Sequence, residues 1–334
     1  MNTMNAETQK VGILGIGHYV PEKVLTNSDL EKMVDTSDEW IKTRTGIEER
    51  RIAAPDESAS VLGWRAAQNA LKDAKVAPED IELIIVATTT QDMSFPSTSC
   101  IIQHNLGAVN AACFDIAAAC TGFIAALNTA SQYIKTGTYT KVLVVATEVI
   151  SSLVDWTDRS TCVLFGDGAG ACVVGPVETG GVLSSYLASN GKWGELLEVP
   201  AGGSRMPASI ETVKNKLHYI KMRGNEVFKL AVKLMADAGG RACKMAGLTY
   251  DAIDCVIPHQ ANSRIINATA SRLGIDSRKV YINVEKYGNM SSASTIVALS
   301  EAVNKGYVKK GSKILLVAFG SGLVWGSMVL EWSK

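Results

Sequence analysis

At 334 residues, with 47% apolar and 20% charged side chains, the chain has an ordinary globular α/β composition, long enough for one large domain or two closely packed halves and neither disordered nor fibrous. Lys plus Arg and Asp plus Glu both number 33, so a formal net charge of zero steers the chain toward no polyanion, and no nucleic-acid partner is expected. The opening MNTMNAETQK lacks the apolar stretch of a signal peptide, and no apolar run approaches the length of a bilayer, so a soluble cytoplasmic protein with no membrane partner is expected.

In chain order, the apolar run VGILGIGHYV from Val11 predicts a first strand, and the spellings Ser28-x-x-Glu31 and Thr36-x-x-Glu39 predict capping boxes at two helix starts. IELIIVAT from Ile81 and KVLVVATEV from Lys141 predict further strands alternating with helical segments. Between them DIAAACTGF places Cys120 at a strand-to-helix turn, where the free N–H groups of a helix start are expected to raise the thiolate fraction. In the second half VIPHQANSRI sets His259 after an apolar strand, EKYGNMSSAS sets Asn289 in a glycine-marked turn before a helix, and KILLVAF from Lys313 is a last strand of the same type.

These segments repeat. Ile81 corresponds to Ile253 and Lys141 to Lys313, both at an offset of 172 residues (253 − 81 and 313 − 141). Two copies of one strand-and-helix unit are therefore expected, as an N-terminal half over 1–178 and a C-terminal half over 179–334. The same offset carries Cys120 onto Ser292, so a pseudo-twofold axis would bring the cysteine turn against the Asn289 loop.

Some chemistries are not expected. The seven cysteines are odd in number and include no C-x-x-C pair, so they read as reduced thiols without a metal site. GILGIGHYV lacks the third glycine of a dinucleotide turn and GDGAGA lacks the Lys-Ser/Thr of a P-loop, so neither NAD nor ATP is expected. Taken singly, Cys120 reads as a core thiol, His259 as a strand-end histidine and Asn289 as a turn residue. Together they form a constellation.

Four motifs, DIAAACTGF, VIPHQANSRI, YGNMSSAS and AFGSGLVWG, supported by MVDTSDEWIKTRTGI and FGDGAGA, resemble the site motifs of the β-ketoacyl-acyl carrier protein synthase III family, in the right order from about Val11 to the C-terminus. The resemblance implies the thiolase-like fold of condensing enzymes, a duplicated α/β unit in a five-layered αβαβα core. It implies a decarboxylative Claisen condensation that starts fatty acid synthesis, joining an acyl-CoA primer to malonyl-acyl carrier protein through an acyl-Cys120 intermediate.

On the same ground, backbone N–H groups of Cys120 and Ser321 would form the oxyanion hole, and His259 and Asn289 would stabilise an enolate as neutral donors. Trp40 and Arg159 would sandwich the adenine of CoA, Thr36 and Arg44 would lie near its nucleotide and phosphates, and Gly224 and Asn262 along its pantetheine arm. Phe95 would help close the acyl pocket, across a dimer interface of a homodimer. Lys229, Arg264 and Arg272 would dock the acidic carrier protein; Lys229 lies in a basic run over 211–235, six basic against two acidic residues, or +4. No cofactor is implied, CoA thioester being substrate.

Two rival readings remain at this stage. A papain-like cysteine hydrolase has the same Cys, His, Asn order and a similar spacing of 139 residues (259 − 120), but lacks the C-G-[SA]-C-[WY] signature and any place for repeated halves. A non-catalytic acyl-CoA or carrier-protein binder would leave the three residues idle.

Overall fold

The computed structural model describes residues 9–334; most of the segment read for a signal peptide lies outside them. Strands β1 (Val11–Tyr19), β2 (Leu83–Ala87), β3 (Ala112–Ile116), β4 (Val142–Val149) and β5 (Asp167–Pro176) form one sheet in the order β1-β5-β4-β2-β3. Strands β6 (Gly181–Ser189), β7 (Cys255–Pro258), β8 (Lys313–Gly320) and β9 (Val324–Glu331) form a second, in the order β6-β9-β8-β7.

The sheets match in direction as well as order. In the first, β2 runs parallel to β3 and β4, while β4–β5 and β5–β1 are antiparallel. In the second, β7 is parallel to β8, while β8–β9 and β9–β6 are antiparallel. The counterpart of β3 shrinks to a single parallel bridge between Val256 and Val280. The 172-residue spacing reaches single residues: β2 begins at Leu83 and β7 at Cys255. Ala119 (φ 44°) and Ser291 (φ 47°), also 172 apart (291 − 119), are both left-handed without being glycine.

Helices fill the layers around and between the sheets. α1 (Asp38–Thr45) lies in the connection after β1, and α2 (Ala59–Ala74) covers the outer face of the first sheet. α3 (Gly122–Lys135) lies between the sheets, α4 (Gly224–Met245) and α5 (Ser263–Leu273) cover the second sheet, and α6 (Ala293–Asn304) joins α3 at the centre. Every residue from Ala293 to Ala302 is buried, the polar Ser294, Thr295, Ser300 and Glu301 included, so this helix is internal on all sides. Gly122 lets α3 close on its neighbours, since a Cβ there would stand 2.9 Å from Ala87 and 3.0 Å from Ser292. Three apolar clusters follow the layers, one inside both sheets and one outside each. This is the five-layered αβαβα core of the thiolase-like fold.

The helix starts differ from expectation by one or two residues. The first capping box is Thr26 with Asp29, and α1 is capped by Ser37, whose hydroxyl accepts from the Trp40 N–H at 3.1 Å. Ser37 takes the extended backbone a cap needs (φ −140°), which displaces the role expected of Thr36.

Candidate active site

Cys120 sits in a 3-10 turn, Ala119–Thr121, between β3 and α3, with its side chain buried. Its Sγ donates to the Ser291 hydroxyl at 3.6 Å, so the offset expected from sequence does bring the cysteine turn onto the second-half loop. Gly320, the last residue of β8, lies flat against it: a Cβ at Gly320 would be 2.6 Å from the Cys120 amide nitrogen. Only glycine permits that approach, and it delivers the backbone of Ser321 to the neighbourhood of the thiol. The Ser321 side chain turns away, donating to the Leu197 carbonyl.

His259 follows β7, anchored by its N–H to the Val317 carbonyl at 2.7 Å, and is 2% exposed. Its Nδ1 has no hydrogen-bond partner among the described residues. Burial pushes its pKa down to about 3, so the ring is a neutral imidazole. Asn289 is held by its backbone, donating to Leu164 (2.8 Å) and accepting from Gly166 (3.1 Å). Its Oδ1 accepts the Ser291 N–H at 2.8 Å; since an N–H must face an acceptor, this commits the carbonyl end of the amide and leaves the NH2 end for a ligand.

All three side chains line a cavity of about 460 Å³ that runs outward past Phe228, Asn262 and Arg44 to Trp40. A second cavity, of about 890 Å³, meets it at Cys120 and Asn289 and is walled by Ile150, Leu153, Leu197, Val199 and Ile220, with Ser321 beside the thiol. Cys120 thus stands where two mainly apolar chambers join, the first carrying Arg44, Lys229 and Arg264 and the second Glu198 and Lys216. A thiol that shares a cavity with a neutral imidazole and with an amide whose NH2 end is free suits acyl transfer followed by stabilisation of a second negative oxygen.

The thiolate expectation is corrected. Burial, with a smaller contribution from the nearby Glu148 charge, pushes the Cys120 pKa up to about 12 against the opposing Ser291 hydroxyl and its own N–H, so the free thiol is protonated. Glu148, at the end of β4, is one of the residues that sequence reading missed. Fully buried, it accepts from the Thr89 N–H (3.1 Å), the Thr90 hydroxyl (2.8 Å) and the Ser292 hydroxyl (2.8 Å), joining the loop after β2 to the start of α6. Ser291 and Gly320 were missed for a similar reason: their roles depend on backbone conformation and not on motif chemistry.

The outer residues are only partly gathered. Trp40, Arg44, Gly224 and Asn262 line the first cavity, with Asn262 capping α5 and donating to the Arg44 carbonyl at 3.0 Å. The Arg159 guanidinium lies over the Trp40 ring, 4.9 Å from its centroid, and donates to the Asp35 carbonyl at 2.8 Å. Thr36 lines neither cavity, and its buried hydroxyl has no partner among the described residues. Phe95 is 84% exposed and likewise lies outside both cavities of its own chain, in a loop with Met93 also exposed.

Among the basic residues, Lys229 and Arg264 stand at the mouth of the first cavity. Arg272 does not join them: it lines a separate shallow groove with Arg241 and Lys244, two helical turns further along α5. Lys216 is committed to Asp155 at 3.0 Å, which removes it from the basic run. Among the described residues no group of three His, Cys, Asp or Glu is placed to hold a metal ion.

Comparison with known proteins follows this geometry. Residues 114–191 match the family described as 3-oxoacyl-[acyl-carrier-protein] synthase III, and residues 243–332 its C-terminal counterpart. A β-ketoacyl-[acyl-carrier-protein] synthase III from Caldanaerobacter subterraneus is 60% identical over 97% of this chain and 98% of its own length. One of the same name from Clostridioides difficile is 54% identical over 97% and 99%. The crystal structure of the synthase III of Aquifex aeolicus superposes with a TM-score of 0.90 at 47% identity, covering 96% of this chain and all of that one.

Proposed function

Because the chain belongs to the 3-oxoacyl-[acyl-carrier-protein] synthase III family, the condensing acyltransferases that initiate fatty acid synthesis, we propose that Cys120, His259 and Asn289 carry its two half-reactions. In the first, the Cys120 sulfur attacks the carbonyl of acyl-CoA; the carbonyl oxygen gathers charge against the N–H groups of Cys120 and Ser321, and CoA leaves with the thiol proton. In the second, the carboxylate of malonyl-acyl carrier protein departs as carbon dioxide, and its bonding pair moves into the thioester as an enolate. His259 and Asn289 donate to that enolate oxygen, the enolate carbon attacks the acyl-Cys120 carbonyl, the C–S bond breaks to release the β-ketoacyl carrier protein, and the departing Cys120 thiolate takes a proton from solvent.

One observation carries this reading: two neutral donors, an imidazole held uncharged by burial and an amide with its carbonyl already committed, converge with the thiol on one cavity. The hydrolase alternative needs the Asn carbonyl on the His ring; here it accepts the Ser291 N–H, and among the described residues no hydrogen bond joins it to His259, whose Nδ1 has no partner. The cavity to Trp40 would take the pantetheine arm along Gly224 and Asn262, with Arg44 near the phosphates. The second chamber, past Ile150, Leu153, Val199 and Ile220, would take the acyl chain. Arg159 must swing off Trp40 to admit an adenine, and Thr36, outside both cavities, would reach only the outer end of the nucleotide.

The carrier protein, which is acidic, would dock on Lys229 and Arg264, with Arg272 reached only by a longer footprint. Phe95, outside its own cavities, would act on a second copy as part of a homodimer. The halves divide at 178/179, and a cytoplasmic location fits substrates of this kind; among the described residues no helix is long and apolar enough to cross a membrane. Intact-mass measurement with a panel of acyl-CoAs tests the reading: one acyl group should appear per chain and map to Cys120, and none should appear on Cys120→Ala. An acyl group on another residue, or hydrolysis of acyl-CoA without an acyl-enzyme, overturns it.

A further inference from the structure

Ser291 lies between the two chemistries and belongs to neither of the motif positions that suggest them. Its hydroxyl is the partner of the Cys120 Sγ at 3.6 Å, while its N–H clamps the Asn289 Oδ1 at 2.8 Å. It is 4% exposed. Its backbone is left-handed (φ 47°), a region that a side-chain-bearing residue enters only where the surroundings enforce it.

The enforcement is visible. The next residue, Ser292, is tied through N–H (3.4 Å) and hydroxyl (2.8 Å) to one oxygen of the buried Glu148, whose other oxygen takes the Thr89 N–H at 3.1 Å. On the far side, the Ser294 N–H donates back to the Ser291 carbonyl at 3.2 Å. A right-handed residue at 291 would point its N–H and its hydroxyl along different directions, and one of the two contacts would be lost. Glycine could take the conformation but would supply no hydroxyl.

We propose that Ser291 is a positioning residue that couples the nucleophile to the enolate site, its hydroxyl stabilising the Cys120 sulfur as it loses its proton and its left-handed backbone aiming the Asn289 amide. The hydroxyl accepts from the thiol at rest and turns to donate to the sulfur as negative charge develops. It changes no bond of the reaction. The inference rests on the assignment of Cys120 as nucleophile, but the first readout below does not require turnover.

The test compares Ser291→Ala and Ser291→Gly with the unaltered chain by the rate of iodoacetamide alkylation at Cys120, followed by peptide mapping from pH 6 to pH 10. Both variants should be alkylated roughly ten- to hundredfold more slowly at each pH, the weight of a hydrogen bond to a charged group. Removing a hydroxyl also opens space, which alone would speed alkylation, so slowing reports the lost contact. The second readout is carbon dioxide release from malonyl-acyl carrier protein: Ser291→Val, whose branched side chain disfavours positive φ, should suppress it more than Ser291→Gly does. Should Ser291→Val fail to fold, the Ala and Gly pair still decides the hydroxyl role. Alkylation of both at the rate of the unaltered chain overturns that role; equal carbon dioxide release from folded Val and Gly variants overturns the backbone role. Loss of acyl transfer from Cys120→Ala alone bears on the nucleophile and leaves this comparison standing.

Discussion

At the scale of single residues, the site depends on groups kept uncharged by burial. His259 ordinarily titrates near 6.5 and here near 3, so between those values the unfolded chain binds a proton that the folded chain excludes. Its contribution to stability therefore falls as pH drops from about 6.5 toward about 3, by at most roughly 1.4 kcal/mol per pH unit. His259→Gln should flatten that acid limb, measured by denaturant midpoints at pH 4.5 and 7.5, and a limb as steep as before would mean that the ring is solvated. Because the free Cys120 thiol is protonated, iodoacetamide should label the exposed Cys100 at least as fast; peptide mapping over time checks the order. Cys120, His259 and Asn289 were legible in the sequence because residue type and motif carry their chemistry. Ser291 and Glu148 were not, because a serine in a polar turn or a glutamate in an apolar strand gives no sign of which way its backbone turns or what it accepts.

At the scale of elements, the site is a product of close approach between halves. The strand spacing of 172 residues was legible, since apolar runs repeat in order, and it located the meeting of the two turns before any contact was visible. The depth of the approach was not legible: it is set by Gly320 against Cys120 and by Gly122 against Ala87 and Ser292. Gly320→Ala should force the two backbones apart and cost acyl transfer roughly 10²-fold or more, the scale of a lost oxyanion donor, with the fold retained by circular dichroism. Gly122→Ala overpacks the centre and should destabilise the chain by roughly 1–3 kcal/mol in urea unfolding. Unchanged kinetics for the first, or unchanged stability for the second, would show that the layers can separate at no cost. The cap falls on Ser37 and not Thr36 because both residues can accept and only the backbone angle decides.

At the scale of the molecule, charge and exposure divide the surface by task. Lys229→Glu with Arg264→Glu should raise the KM for malonyl-acyl carrier protein by roughly tenfold or more and spare acylation by acyl-CoA, whereas Arg272→Glu, in its separate groove, should do less. Steady-state kinetics with each substrate varied separates these outcomes, and an equal effect of all three would place the carrier protein across both grooves. The overall order of the layers was legible from apolar periodicity and the resemblance, but not which basic residues share a face, because spacing along α5 leaves two turns between Arg264 and Arg272. The central claim is that His259 and Asn289 serve one enolate oxygen beside a separate nucleophile. It is tested most directly by carbon dioxide release from malonyl-acyl carrier protein in Cys120→Ala, alone and combined with His259→Ala or Asn289→Ala. Release should persist without the thiol and fall by roughly 10²- to 10³-fold when either donor is removed; no release above background from Cys120→Ala, together with undiminished release from the His259→Ala and Asn289→Ala single variants, would contradict it.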